Sequence, residues 1–320
     1  MTDLEVIYRG EDVAVFADIK DMPEDLLTVT FTPRLLIDRD ISGDLSQFSN
    51  TYAFFKKRNI PSMCIVSRTS CWWQTPDAWA AIEAVRRHGI LNRYSRRWAY
   101  SSSMGATGAL MFASGLELDG VLAVAPQYSL DPNKTPWDDR WKIEQQRFPI
   151  INDRLDPSPD TRKVIFYDPL FQMDKRHVDK IIEEIGGERV KVPFALHSVQ
   201  HVLLECGMLG DAVLQVIHGT FNHVEFTKLY RQRRSQSAMF LRTASLEAFR
   251  RRRFKHALHL SERAIDRIEV SLADRALPNP PEFLYEMAGK HHLRCLEAIG
   301  NTSGKKEFVS RWQPFFALDG

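Results

Sequence analysis

Short apolar runs alternate with amphipathic stretches over the first two hundred positions, and that rhythm predicts the elements. Glu5-Val-Ile-Tyr8 and Val13-Ala-Val-Phe16 flank Arg9-Gly-Glu-Asp12 and read as a hairpin. Leu26-Leu-Thr-Val-Thr-Phe31 is rich in β-branched and apolar residues and stops at Thr32-Pro33. Leu35 to Asp44 reads as loop, Phe48 to Arg58 carries aromatic residues at helical spacing, and Pro61 to Ser67 is a buried strand. Asp77 reads as an N-cap or first-turn acid for a helix through about His88. Further strands are expected at Trp98–Ser101, Gly120–Pro126, Arg162–Tyr167 and Val190–Ala195. Helices start from about Met104 and from Asp174, the latter running to Ile185 and closed by Gly186-Gly187. Strands that alternate with helices after an initial hairpin imply an α/β protein with a doubly wound, mostly parallel sheet.

Two regions depart from the rhythm. Residues 127–160 form a long polar excursion, expected to be a partly helical insertion or cap over one edge of the sheet. From Glu225 the alternation stops and the chain turns helical and basic, so residues 1–224 and 225–320 read as separate regions. A helix is expected from Pro281 to Ile299 after the break Pro278-Asn-Pro-Pro281, and Trp312, Phe315 and Phe316 suggest an anchored terminus. Arg250 to Arg253 with Phe254-Lys255 read first as a solvated face, with phosphate or RNA binding as the sharper alternative.

At 320 residues the chain can bury a sizeable core, and its 44% hydrophobic and 26% charged composition is that of a soluble globular protein. A net charge of +2 argues against nucleic acid as the main partner. The start, Met-Thr-Asp-Leu-Glu-Val, lacks the basic and apolar regions of a leader, and no apolar run reaches the ~18 residues of a spanning helix. Cys64, Cys71, Cys206 and Cys295 are scattered without metal or disulfide spacing. Buried thiols in the cytoplasm are the expectation, with neither metal nor cofactor.

The chemistry is carried by Ser101-Ser-Ser-Met-Gly105, placed between a buried strand and a helix. This is the nucleophile-elbow pattern G-x-S-x-G with serine at the first glycine. A tight turn there demands small residues two before and two after the nucleophile, which Ser101 and Gly105 provide. Ser103 is then held at the tip, and the Met104 backbone N–H, at a helix N-terminus, suits a developing oxyanion. Asp168 and His197 fall at or just past later strand ends, where ligands bind in such sheets. Asp174 competes with Asp168 as the acid, and His201 with His197 as the base. Trp72 and Trp73, like Gln127 and Tyr128, leave strands on the same rim and are candidate substrate-binding residues, with core packing as the alternative for the tryptophans.

These features resemble the α/β-hydrolase superfamily over roughly residues 1–220. More narrowly, Tyr100-Ser-Ser-Ser-Met-Gly-Ala106, Ala125-Pro-Gln-Tyr-Ser129, Tyr167-Asp-Pro169 and Leu204-Glu-Cys-Gly-Met-Leu209 look like a bacterial hydrolase-like group of undefined substrate. The resemblance implies eight strands, with the nucleophile Ser103 after the fifth, the acid Asp168 after the seventh and the base His197 after the eighth. It implies acyl transfer through Ser103, in hydrolysis or onto a sugar or other alcohol, with small acyl or glycosyl compounds as substrates. No His-Gly-Gly oxyanion loop follows the third strand, which leaves the Thr32 N–H as the second donor. Ala248-Phe249, Phe254, Ala257-Leu258 and Ala264 resemble one tetratricopeptide-type hairpin, which implies docking on a protein partner or a second copy. An inactive interaction protein that works through this tail is the competing reading.

Overall fold

A computed structural model describes residues 4–19, 25–35, 37–43, 45, 50–273 and 282–313. The start of the Phe48 helix, the Pro278–Pro281 break, Phe315 and Phe316 lie outside these. The chain divides into two compact units, one of residues 1–191 with Val216–Thr220 and one of Val192–Gln215 with residues 221–320. The change in composition at Glu225 falls inside the second of them.

The first unit is built on β1 (Glu5–Arg9), β2 (Val13–Asp18), β3 (Leu26–Phe31), β4 (Ser62–Ser67), β5 (Arg96–Ser102), β6 (Gly120–Val124), β7 (Arg162–Tyr167) and β8 (Glu188–Lys191). They form one sheet in the order β1-β2-β4-β3-β5-β6-β7-β8. Only the β1–β2 and β2–β4 pairs are antiparallel. This is the α/β-hydrolase arrangement that the resemblance implied. Its helices are α1 (Asn50–Lys56), α2 (Pro76–His88), α3 (Met104–Met111), α4 (Lys142–Arg147) and α5 (Gln172–Ile185). β2, β3, β4, β6 and β7 are almost wholly buried, as sheets covered on both faces must be.

Three local expectations are refined. Asp77 is a first-turn acid and not the cap: its carboxylate accepts the N–H groups of Asp12 (2.7 Å) and Val13 (2.8 Å) and the Tyr8 hydroxyl, tying the hairpin turn to α2. The cap of α5 is Phe171, which leaves Asp174 inside the helix. The last strand is shorter and earlier than the apolar run Val190–Ala195 implied. Pro193 has no N–H for a ladder, and Phe194 (φ 65°) and Leu196 (φ 52°) are left-handed, so the run cannot stay extended.

The second unit contains α6 (Val199–Glu205), most of α7 (Leu209–Ile217), α8 (His223–Arg233), α9 (Ala238–Arg250), α10 (Phe254–Ala273), α11 (Glu282–Ala298) and α12 (Thr302–Trp312). Asn222, Ser237 and Asn301 cap α8, α9 and α12 through side-chain oxygens. α10 packs on α9 and α11, and α11 on α12. Small residues permit this close approach: Ala248, Ala257 and Cys295 share a core, and the Ser245 hydroxyl donates to the Ala257 carbonyl at 2.6 Å. Trp312 is fully buried and stacks on Phe308, which holds the end of α12. No helix among the described residues is long and apolar enough to cross a membrane.

Two buried histidines make this unit sensitive to acid. His291 Nε2 bonds Ser245 Oγ at 2.8 Å and His292 Nδ1 bonds Ser261 Oγ at 2.9 Å. Burial, reinforced by neighbouring arginines, pushes both down to about 4. Between pH 6.5 and 4 the unfolded chain therefore binds protons that the folded unit refuses, and stability falls with falling pH, by on the order of 2–3 kcal/mol per histidine once pH 4 is reached. Thermal unfolding of the second unit should show this slope. His291→Gln with His292→Asn, which retain an N–H donor near each position, should flatten it.

Candidate active site

The elbow is built as its small residues require. β5 delivers Ser103 into a backbone conformation of φ 52°, ψ −127°, outside the regions side-chain-bearing residues prefer, and α3 begins at the next residue. Holding a non-glycine residue there costs roughly 1–3 kcal/mol, which the surroundings must supply. The Ser103 N–H donates to the Val124 carbonyl at 2.9 Å, and its carbonyl accepts the Thr107 N–H at 3.1 Å. Turn and first helical turn are thus fixed by β6 and by α3 itself. The Met104 N–H, in the first turn of α3, has no intrahelical acceptor.

Both flanking small residues have specific work. A Cβ on Gly105 would lie 2.4 Å from the Phe31 carbonyl oxygen and 2.9 Å from that of Thr32, so only glycine lets α3 meet the end of β3. Ser101, in the position where the pattern usually has glycine, is 4% exposed, and its Oγ accepts the Phe31 N–H at 2.9 Å. The hydroxyl clips the end of β3 to β5.

The expectation that the Thr32 N–H serves an oxyanion is corrected by the pairing of β3 with β4, which engages it. The Thr32 N–H donates to the Ile65 carbonyl at 3.1 Å, and its Oγ1 accepts the Ser67 N–H at 3.0 Å. β3 and β4 stay paired one residue past Phe31, which consumes the donor. Pro33 has none, so the next N–H is that of Arg34.

The tryptophans are core residues and not an exposed wall. Trp73 is fully buried, donates its Nε1–H to the Met104 carbonyl at 2.8 Å, and meets Phe31 edge-on at 5.0 Å. Gly108 makes room for it, since a Cβ there would lie 2.4 Å from Trp73 Nε1. Trp72 is 2% exposed and packs on Trp141 at 5.1 Å. Gln127 is also fully buried: its backbone exchanges hydrogen bonds with Thr107 Oγ1 (2.9 and 3.1 Å), and its Nε2 donates to the Ala125 carbonyl at 3.0 Å. It fastens the end of β6 to α3.

Tyr128 points elsewhere. Its N–H donates to His177 Nδ1 at 3.1 Å, and its hydroxyl donates to Glu184, seven residues further along α5. The hydroxyl therefore points along α5 toward the C-terminal end of that helix. The bond to Glu184, with burial, pushes the phenol up to about 12.

The two candidate acids differ in their surroundings. Asp174, fully buried, accepts Arg140 Nη2 at 2.8 Å within a network that sequence reading missed. There Asp138 accepts Arg140 (2.6 and 2.8 Å), His177 Nε2 (2.8 Å) and Trp141 Nε1 (3.1 Å). Burial alone would raise the Asp138 carboxyl, but the hydrogen bonds from Arg140 and His177 outweigh it and hold it well below the usual carboxylate range. This network locks the 127–160 insertion onto the start of α5. Asp168, also fully buried, follows β7 directly, and its Oδ1 accepts the Leu170 N–H at 2.9 Å. Ser103 and Asp168 leave β5 and β7, which flank β6, so their strand axes lie about 10 Å apart at the same edge of the sheet.

His197 belongs to the second unit. It is half-buried, follows the left-handed Leu196, and precedes α6. His201 lies inside α6, 3.7 Å from Glu205, as a helix-packing residue would. Among the described residues no group of three or more His, Cys, Asp or Glu side chains is placed to hold a metal ion.

No family model matches the sequence, and no curated protein matches it. Solved structures similar to this chain include the capsule O-acetyltransferase of Neisseria meningitidis serogroup A, at 13% identity and a TM-score of 0.48 over 68% of this chain and 96% of that one. An α/β serine hydrolase without lid from Xanthomonas campestris is 15% identical, covers 68% and 96% of the two chains, and has a TM-score of 0.41. Est1E from Butyrivibrio proteoclasticus is 13% identical, covers 68% and 98%, and has a TM-score of 0.42. The fold assignment rests on the strand order itself.

Proposed function

We propose that the protein is a serine acyl hydrolase or acyltransferase that forms an acyl-enzyme on Ser103. The observation that carries this reading is the strained Ser103 backbone at the mouth of α3 (φ 52°, ψ −127°), which the packing of Gly105 and the Ser101 clip maintain. Strain of this kind, over-determined by its surroundings, is a mark of functional positions.

In the proposed reaction Ser103 Oγ attacks the carbonyl of an ester, thioester or amide. His197 takes the hydroxyl proton and returns a proton to the leaving group, while Asp168 orients the imidazole and stabilises its charged form. Asp168 is favoured over Asp174 because the Asp174 carboxylate is engaged by Arg140. The Met104 N–H, reinforced by the α3 dipole, would meet the developing oxyanion, and the Arg34 N–H would supply the second donor in place of Thr32. Water or an alcohol, a sugar hydroxyl included, would resolve the acyl-enzyme.

A panel of short- and long-chain aryl esters tests this reading. Turnover of at least one ester, lost by a factor of roughly 10⁴ or more in Ser103→Ala, is the expected result. A folded protein that turns over none of them would favour the inactive interaction protein and its tetratricopeptide-like tail.

A further inference from the structure

The turn between α9 and α10 concentrates positive charge that its neighbours leave unneutralised. Arg250, Arg251, Arg252, Arg253 and Lys255 fall within six positions. On the α9 side Glu247 is engaged by Arg251 at 2.7 Å and by Arg250 at 3.9 Å. At the end of α11, Glu297 is paired with Lys305. Arg252, Arg253 and Lys255, all exposed, have no ionic partner among the described residues.

These three cations border a shallow, open groove lined by residues 252–256 with Ala298 and Ile299. Its apolar wall is Phe254, Ala298 and Ile299, with Phe254 braced edge-on against Phe249 at 5.1 Å. Lys255 and His256 also occupy the first turn of a 20-residue helix that has no acid there. Cations at that end oppose the helix dipole and weaken the helix. An anion beside them reverses the sign.

We infer that this groove binds an organic phosphate, a small molecule with at least two phosphate negative charges and a flat or apolar portion. Guanidinium forks match phosphate oxygens in pairs, and three uncompensated cations call for more than a single carboxylate. The apolar side of the groove, Phe254, Ala298 and Ile299, receives the organic portion. A nucleic acid would need a longer basic track, whereas 43 basic residues are offset by 41 acidic ones over the chain. The site is independent of any chemistry at Ser103.

Calorimetric titration of the full-length protein with ADP, pyrophosphate and adenosine tests the inference. ADP and pyrophosphate should bind in competition, and adenosine should not bind at the same concentration. Raising salt from about 50 to 200 mM should weaken ADP several-fold. Arg252→Glu with Arg253→Glu should weaken ADP by about 30-fold or more and Lys255→Glu by about tenfold, while Arg250→Glu with Arg251→Glu should change it by less than about threefold. Circular dichroism verifies that each variant keeps its helix content. The inference is overturned if neither ADP nor pyrophosphate binds at about 1 mM. Binding that survives the Arg252/Arg253 reversal overturns it as well. So does an RNA hairpin that binds about 100-fold more tightly than ADP and is lost in that variant, since the surface would then be a nucleic-acid site.

Discussion

Asp168→Asn is expected to lower kcat on an ester substrate by roughly 10⁴-fold, because an amide in place of the orienting carboxylate holds the imidazole in the wrong tautomer. Asp174→Asn should leave kcat within about tenfold of the parent if, as proposed, its carboxylate serves Arg140 and Asp168 is the acid. Its expected cost is stability: a buried charge loses part of its partner set, at about 1–3 kcal/mol. The Asp138 carboxylate still holds Arg140 at 2.6 Å, which keeps that loss from being larger. Both variants can be measured side by side by steady-state kinetics and by thermal melts. A stable, inert Asp168→Asn beside an active, less stable Asp174→Asn is the predicted pair. The reverse pair would move the acid to Asp174.

The second large effect falls on folding. Gly105→Ala places a methyl carbon 2.4 Å from the Phe31 carbonyl oxygen and 2.9 Å from that of Thr32. Neither obstacle is a side chain that can swing away. Both are backbone of a strand held by the Ser101 clip and by the Thr32–Ile65 ladder bond. Either α3 or the end of β3 must shift, which should cost about 3 kcal/mol or more. Denaturant unfolding should report that loss. Near-parental stability would mean that α3 is less tightly seated than described.

What was legible in the sequence is what local sterics decide. Ser101, Gly105 and Gly108 mark the elbow because the turn and the helix behind it exclude bulk, and that exclusion is written in consecutive residues. The alternation of strands and helices likewise depends on neighbours a few positions apart. Properties set by partners distant in the chain were not legible. The Thr32 N–H looked available because nothing near it announces Ile65 as its acceptor. Asp174 looked like the start of a helix and a possible triad acid because Arg140, 34 positions earlier, gives no local sign of pairing with it. Trp72 and Trp73 follow a strand on the reacting edge, yet left-handed backbone at both residues (φ 50° and 63°) accompanies their burial in the core. Val190–Ala195 has the apolar content of a strand, and Pro193 was the one warning that the sheet would stop before it ended.

Catalysis as proposed requires an activated hydroxyl at residue 103, and covalent labelling reads that directly. The protein is treated with a fluorophosphonate, and the adduct is located by mass spectrometry of its peptides. The predicted result is one phosphonyl group on Ser103, formed at least about 100-fold more slowly in His197→Ala and absent in Ser103→Ala. A folded protein that takes up no label, or one whose Ser103 reacts equally fast without the imidazole, would contradict it.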